Sequence, residues 1–514
     1  MANRFIMQAN FYKTGTKMLA LLLAMVMSIT AIAVPIRSGN YPVTATSTNN
    51  VQLTDLSWIT VNSIGSAISA LNTYGVESFG TVQFEFASGY TETATSQYTI
   101  GGAGSELFAN NYTAVIFKHI GTGVKPLLTA STPGTGSVDF IIRLLGADYI
   151  TFDGIDLQEN IANTTTNAHM EYGYYILNSA SNGSQYNTIK NCKVSLFNFG
   201  SSTSQQNINS VGIYQYNTDA STTNSGNIYD SDTVTKAYNG IWLRGISGSP
   251  DFGTVISNCQ IGTSTAGDIG GNVSQGSGSG VVGLQLTFQN DFSIYNNLIQ
   301  NVQFFRTGNS QVCYGVWLSS TGGSNTLYNN KIIGILNKRS GAASGAPGAG
   351  LQIDGITGSS FSVYNNFIGN IQVVGSTSST FMLYGIRIGG TGATISLYHN
   401  SIYIPNIASS QLASSAALFV TASSGTTLIA KNNILRNSAQ TTSSSKVYGF
   451  YFGTGNTLVS SDNNIFDVNN NNPTGIYFTG YLTADRQTLA AWKAAPGSPD
   501  PNSVGLSVAY VSIT

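Results

Sequence analysis

The feature that most constrains this chain is a short motif, Tyr-Asn-Asn-x-Ile, that returns at near-constant spacing. It reads FSIYNNLI at 292–299, NTLYNNKI at 325–332, FSVYNNFI at 361–368 and ISLYHNSI at 395–402, and continues as KNNILR at 431–436 and DNNIFD at 462–467. Its second polar position falls at Asn297, Asn330, Asn366, Asn400, Asn433 and Asn464, in steps of 33, 36, 34, 33 and 31 residues. Such a period marks stacked repeats in which each unit covers the apolar face of the next. Two strands are readable per repeat. The first carries a small residue and then alternating large ones: GYYIL 173–177, GIYQY 212–216, GIWLR 240–244, GLQLT 283–287, GVWLS 315–319, GLQID 350–354, GIRIG 385–389, ALFVT 417–421, GFYFG 449–453 and GIYFT 475–479. The second ends in Asn-Asn, and NCKV 191–194, SDTV 231–234 and NCQI 258–261 extend it upstream. Gly/Ser/Thr loops such as 263–280 and 339–349 account for the variable repeat length.

Short alternating strands, repeated once per turn, suit a coil of parallel sheets. Asn suits the tight turn between two of them. It tolerates the left-handed conformation, and its amide can bond the Asn of the coil above and below, so the predicted ladder satisfies polar groups that would otherwise be buried alone. The expected fold is all-β: one right-handed parallel β-helix, a solenoid with an Asn ladder and short helical caps. Ser63 to Leu71 has helical spacing (Ile64, Ile68, Leu71) and can plug the first coil; Asp485 to Lys493 can form a second helix with Leu489 and Trp492 on one face. Both would shield open sheet edges.

Composition narrows the function. The chain has 514 residues and is 41% hydrophobic, while only 8% of residues are charged against roughly 25% in ordinary soluble domains. Tyr 27 and Phe 24 supply apolar surface, so the low charge is not a sign of disorder. Net charge is −1 with no basic run, which argues against nucleic acid as a partner. Residues 1–33 read as an export signal: Arg4, Lys13 and Lys17, then the apolar Met18 to Ile29, then Ala31-Ile32-Ala33 as a small-x-small cleavage site. The rival reading, a membrane anchor, needs a longer apolar run than this one, which Ser28 and Thr30 interrupt. No later segment is apolar enough to span a bilayer, so a secreted or cell-surface protein, monomeric and without disulfides, is expected. Cys192 and Cys259 share one repeat position two coils apart, about 9.6 Å at the inter-strand spacing, beyond disulfide reach. No His or Cys pair has metal-ligand spacing.

These repeats resemble the right-handed parallel β-helix family that contains pectate-lyase-like and polygalacturonase-like proteins. The resemblance covers roughly 140–480. The flanks, AISALNTYGV, GTVQFEFASGYTE and LLGADYITFDGIDL before and TLAAWKAAPGSPDPNSV after, are similar to secreted β-helix proteins of Bacteroidetes-type bacteria. The expected organisation is 1–33 signal peptide, 34–139 N-terminal cap and first strands, 140–480 repeats, and 481–514 a C-terminal cap. Many members of the family carry a C-terminal sorting module and none is recognisable here, so a truncated cap is an expectation. The resemblance is specific for fold but not for activity, since this fold hosts lyases, hydrolases, adhesins and spacers.

Strand alternation assigns an outward row, one residue from each first strand: Tyr175, Tyr214, Trp242, Gln285, Trp317, Gln352, Arg387, Phe419, Tyr451 and Tyr477. Stacked about 4.8 Å apart, these would form an aromatic stripe with polar groups between, the pattern that an extended polysaccharide requires. Aromatic residues also favour strands for stability alone, and loops can cover such a row. For catalysis the candidates are Asp354, Arg387 and Arg244, with Asp354 and Arg387 placed as neighbours. A glycosidase needs two carboxylates about 5–9.5 Å apart, and Ser319 and Gly389 stand where a partner for Asp354 would lie. In the family a lyase often holds calcium with several acids; Asp230 and Asp232 are the weak Ca²⁺ candidates, two oxygen donors where six to eight are needed, so no cofactor is expected. Asp153 and Asp156 flank Gly154 as a turn, and His399 reads as a ladder member. Three functions follow: a polysaccharide-binding surface protein, a polysaccharide lyase or hydrolase, and a structural spacer or adhesin.

Overall fold

The computed structural model describes residues 34–102, 113–132, 138–160, 162, 169–196, 210–271, 280–306, 311–339, 347–375, 380–406, 413–421, 424–440, 445–468, 476–497 and 500–510. The export signal expected in 1–33 lies outside them. The chain winds as a right-handed parallel β-helix whose wall is three sheets of 13, 15 and 13 strands. Three strands per coil, rather than two, make the wall. In one coil, the glycine strand Val281–Thr287 leads to the tyrosine strand Ser293–Tyr295, and a turn at Asn296–Asn297 leads to the third strand Leu298–Gln300. The third strand escapes notice in the sequence because one left-handed residue makes the whole turn, so the motif runs through the corner unbroken. That residue, the first of each Asn pair, has φ near 55° at Asn258, Asn296, Asn329, Asn365, His399 and Asn432. His399 is therefore an exposed turn residue and not a ladder member; Asn400 holds the ladder in its coil.

The ladder itself is continuous. Asn330 Oδ1 accepts hydrogen bonds from the main-chain N–H (3.1 Å) and Nδ2 (3.0 Å) of Asn297, while Asn330 Nδ2 donates to the Ile294 carbonyl (2.9 Å). The same pattern repeats through Asn366, Asn400, Asn433 and Asn464, all buried. Each amide from Asn330 to Asn433 thus satisfies a buried N–H and a buried carbonyl of the coil before it and donates to the amide of the coil after it, which stabilises a low-dielectric corner. Inside the coil, Ile, Val, Leu and Phe from all three sheets form one core, each burial contributing about 1.5–3 kcal/mol.

The small residue of each glycine strand has a steric cause. A Cβ on Gly315 would lie 2.3 Å from Ile332 Cγ2 of the third sheet and 2.6 Å from the Gly350 carbonyl of the next coil. Gly350 in turn meets Ile368 and Gly385, so the glycines stack as a column where two sheets press together. The strands that follow the glycine then alternate cleanly, Ile241 and Leu243 inward and Trp242 outward.

Both ends are closed. The helix Ile64–Tyr74 starts at Ser63, whose hydroxyl accepts from the Ser66 N–H, and buries Ile64, Ile68 and Leu71 against the first coils. Glu92 accepts from the Ile64 and Gly65 N–H groups at its N-terminus. At the other end the helix is shorter than the spacing suggested: it runs Leu489–Lys493, and Asp485 lies instead in an antiparallel strand, Ala484–Arg486, that covers the edge of the glycine sheet. Trp492 is wholly buried and donates to Asp500 (2.8 Å), whose other oxygen accepts from Asn464 Nδ2 (3.2 Å), so the cap terminates the ladder chemically as well as sterically. No helix among the described residues is long and apolar enough to cross a membrane.

Candidate functional site

The outer face of the glycine sheet carries the expected row. Ladder register places Tyr175, Tyr214, Trp242, Gln285, Trp317, Gln352, Arg387, Phe419 and Tyr451 opposite one another in consecutive coils. Tyr477 does not join them. It pairs with Val447, is buried beside Ile476, and Tyr481 takes its place, stacked on Tyr451 at 4.5 Å. In this register Gly480 stands opposite Phe450, and Trp492 of the cap packs over it: a Cβ on Gly480 would lie 2.5 Å from the indole.

Burial divides the row. Tyr175, Tyr214, Gln285, Gln352 and Phe419 are buried, and Trp242, Trp317, Arg387 and Tyr451 are half-buried. Rings from the same outer face do part of the covering. Tyr172 packs on Tyr175 and Tyr214 (4.8 and 4.7 Å), and Phe381 packs on Phe419 and Tyr451 (4.8 Å each). Both ends of the row are therefore small aromatic clusters with their faces already occupied. Desolvation there pushes the Tyr175 phenol up to about 12.

The middle is different in chemistry. Asp354 accepts a hydrogen bond from Trp317 Nε1 (2.8 Å) on one oxygen and from Gln352 Nε2 (2.5 Å) on the other. Gly389, the register partner of Asp354, makes room: a Cβ there would stand 2.4 Å from Asp354 Oδ1. Gln352 is fully buried and its Oε1 has no partner among the described residues. Arg387, aligned with Gln352, lies over the Tyr384 ring (5.6 Å) rather than in an ion pair with Asp354. The Tyr384 phenol is pushed up to about 12 by burial, so it stays a neutral hydrogen-bonding group. Arg244 stands further along the face, over Tyr216 at 4.9 Å.

This middle segment can grip a polyhydroxylated chain. It presents a half-buried indole held in place by a carboxylate and a guanidinium resting on a ring, whereas the Gln352 amide oxygen is buried away from the surface. Asp354 is the carboxylate of this segment among the described residues, with Ser319 and Gly389 beside it in register. The calcium candidates do not converge. Asp230 faces out and accepts from Ser257 Oγ (2.5 Å) and Asn258 Nδ2 (2.7 Å), whereas Asp232 faces in and accepts from the Cys192 N–H (2.9 Å). Among the described residues no cluster of three or more His, Cys, Asp or Glu is placed to hold a metal. Cys192, Cys259 and Cys313 are buried thiols.

Alternation picks out the glycine strands and passes over a second aromatic row that the motif itself spells out. The Tyr of Tyr-Asn-Asn faces outward on the second sheet. Tyr295, Tyr328 and Tyr364 stack in parallel at 4.9 and 5.0 Å, with Tyr398 next in register, and all four are half-exposed.

No family model matches the sequence, and no curated protein matches it. Among solved structures, the chain is similar in form to an alginate lyase from Paenibacillus sp. str. FPU-7 (TM-score 0.36, 12% identity, 65% of this chain and 92% of that one). It is similar also to the Agl-KA catalytic domain (0.44, 11%, 86% and 64%) and to a lacto-N-biosidase from Eubacterium ramulus (0.41, 11%, 77% and 67%). At such identities the fold stands on the strand register of this chain.

Proposed function

We infer that this protein binds an extended polysaccharide across the outer face of the glycine sheet, with Trp317 at the centre of the contact. The observation that carries this reading is the Trp317–Asp354–Gln352 network beside Arg387. A half-buried indole is locked by a carboxylate that is itself locked by a buried glutamine. Such preorganisation lowers the ordering cost of binding, and the half-buried Arg387 guanidinium beside the network supplies donors for sugar hydroxyls. The aromatic clusters at both ends of the row are packed on themselves, so the contact is centred on the middle segment, with Trp242 and Tyr451 flanking it as half-buried rings. The reading places the protein outside the cell, as a monomer, in keeping with the export-signal pattern in 1–33 and the scarcity of charge.

A glycan array probed with the protein, read together with release of unsaturated or reducing ends, tests it. Binding without release, weakened about tenfold or more by Trp317→Ala in a variant that still unfolds in one cooperative thermal transition, is the expected result. Wild-type binding in both Trp317→Ala and Trp242→Ala would remove the face from the account. Release of ends that disappears in Asp354→Asn or Arg387→Ala would make the protein an enzyme.

A further inference from the structure

The second sheet carries a surface of another kind. Its outward central column runs Lys118, Asp153, Lys190, Asp230 in the early coils and Lys431, Asp462 in the late ones. Between them come Ser257, buried and donating to Asp230, and then four tyrosines in sequence, Tyr295, Tyr328, Tyr364 and Tyr398. The flanking columns are equally free of formal charge. On one side lie hydroxyls such as Thr326 and Ser362, on the other the exposed turn residues Asn329, Asn365 and His399. Four coils thus form an uncharged tyrosine window, followed directly by Lys431 at one end and separated from Asp230 by the Ser257 rung at the other.

Ring geometry says what the window offers. Stacked carbon atoms touch at about 3.5–4.0 Å, so parallel rings with centroids 4.9 and 5.0 Å apart overlap obliquely, like shingles. Each leaves an edge and a phenol hydroxyl outside. Every group in the window other than the ring edges both donates and accepts hydrogen bonds, at one set per rung.

We propose that this tyrosine window is a second docking surface, for the flat face of a neutral β-linked polysaccharide fibre. It is a different sheet from that of the proposed glycan-binding face and does not rest on that reading. A charged ligand gains nothing from an uncharged window, whereas a neutral chain that repeats its hydroxyls along its axis meets the same donors and acceptors at every rung. The window is a ridge without a cavity, which suits a solid surface. A second copy of the chain fits less well. Four half-exposed tyrosines present about 400 Å² together, below the roughly 800 Å² per partner of a standard protein interface.

Depletion from solution by microcrystalline cellulose and by chitin particles, at low and high salt, tests this. The wild type is expected to partition onto at least one solid with little effect of salt, because no ion pairs are involved. Tyr328→Asp is expected to lower that partition tenfold or more. Asn329→Asp puts the same charge at a turn that Asp tolerates and is expected to do likewise. Trp317→Ala is expected to leave it unchanged. No depletion by either solid, or full depletion of both charged variants, overturns the proposal. So does a loss seen only in Trp317→Ala, which would move the contact to the glycine sheet, or a concentration-dependent dimer that Tyr328→Asp dissolves, which would give the window to a second copy.

Discussion

The coils before residue 260 and those after 290 use the same three positions at the corner of the β-helix with different chemistry. The early coils read Lys190-Asn191-Cys192, Asp230-Ser231-Asp232 and Ser257-Asn258-Cys259; the later ones read Tyr295-Asn296-Asn297 and onward. The first position faces out, the second turns with positive φ, and the third faces in. Only the turn is held to one conformation. The outer position carries a charge ladder as far as Asp230, with Lys190 3.3 Å from Asp153, then Ser257, then a tyrosine stack from Tyr295 to Tyr398, and charge again at Lys431 and Asp462. The inner position changes from thiol and carboxyl to amide. The same hydrogen bond survives: Cys259 Sγ lies 3.5 Å from the Tyr229 carbonyl, in the place where Asn330 Nδ2 reaches the Ile294 carbonyl. Cys259 and the asparagines thus supply the same inward donor, Asp232 supplies an acceptor in its place, and the outside is left open to function.

The comparison breaks most visibly in the amide half. Asn366→Ala deletes the acceptor for two donors of Asn330 and the donor to the Leu327 carbonyl. Buried groups left unpaired cost about 1–3 kcal/mol each, so a loss of about 4 kcal/mol is expected, read as a lower urea midpoint. A loss below about 1 kcal/mol would mean that the ladder is decoration on a corner held by packing alone.

The thiol-carboxyl half responds in the opposite direction. Asp232 is fully buried, its Oδ2 has no partner among the described residues, and burial holds its carboxyl well above the usual range. The folded state then binds a proton that the unfolded chain releases near pH 3.9. Stability from the neutral acid is complete below that value and is lost as pH rises through the higher folded value. Asp232→Asn removes the buried charge and supplies an amide like the later coils, so it is expected to stabilise at neutral pH by about 1–3 kcal/mol. It is also expected to flatten the decline between pH 4 and neutrality. Thermal midpoints across that range check both. Equal midpoints at pH 7 would show that the carboxylate is satisfied as it stands.

Much of this was readable beforehand, and the gaps share a cause. The ladder asparagines are legible because a polar residue at fixed period inside an apolar pattern has few uses. The row from Tyr175 to Tyr451 is legible because strand alternation is local. Whether that row is open is not local: Tyr172 and Phe381 cover it from other positions on the same face, and no spacing rule reports a ring packing across a rung. Tyr477 lies outside the row because the last strand pairs in a register its own spacing does not reveal, with Tyr481 opposite Tyr451. The tyrosine window was in view throughout, as the first letter of the motif, but its meaning needed the third sheet, which puts the corner immediately after it.

The smallest effect sharpens the comparison furthest. Cys259 already passes the ladder on, because its N–H donates to Asn297 Oδ1 at 2.9 Å. Cys259→Asn alone would bring an amide oxygen against the Asp232 carboxyl, so the gain from a better donor and the cost of that contact offset, and a change within about 1 kcal/mol is expected. In the Asp232→Asn background the same oxygen meets an amide, as at Asn330 and Asn366. The two substitutions are then expected to stabilise by more than their separate effects, with a coupling of about 0.5–2 kcal/mol from a double-mutant cycle of urea midpoints. Coupling of that sign would make the early coils a ladder interrupted by one buried acid. Simple additivity would mean that thiol, carboxyl and amide each serve their own coil and that continuity along the corner adds nothing.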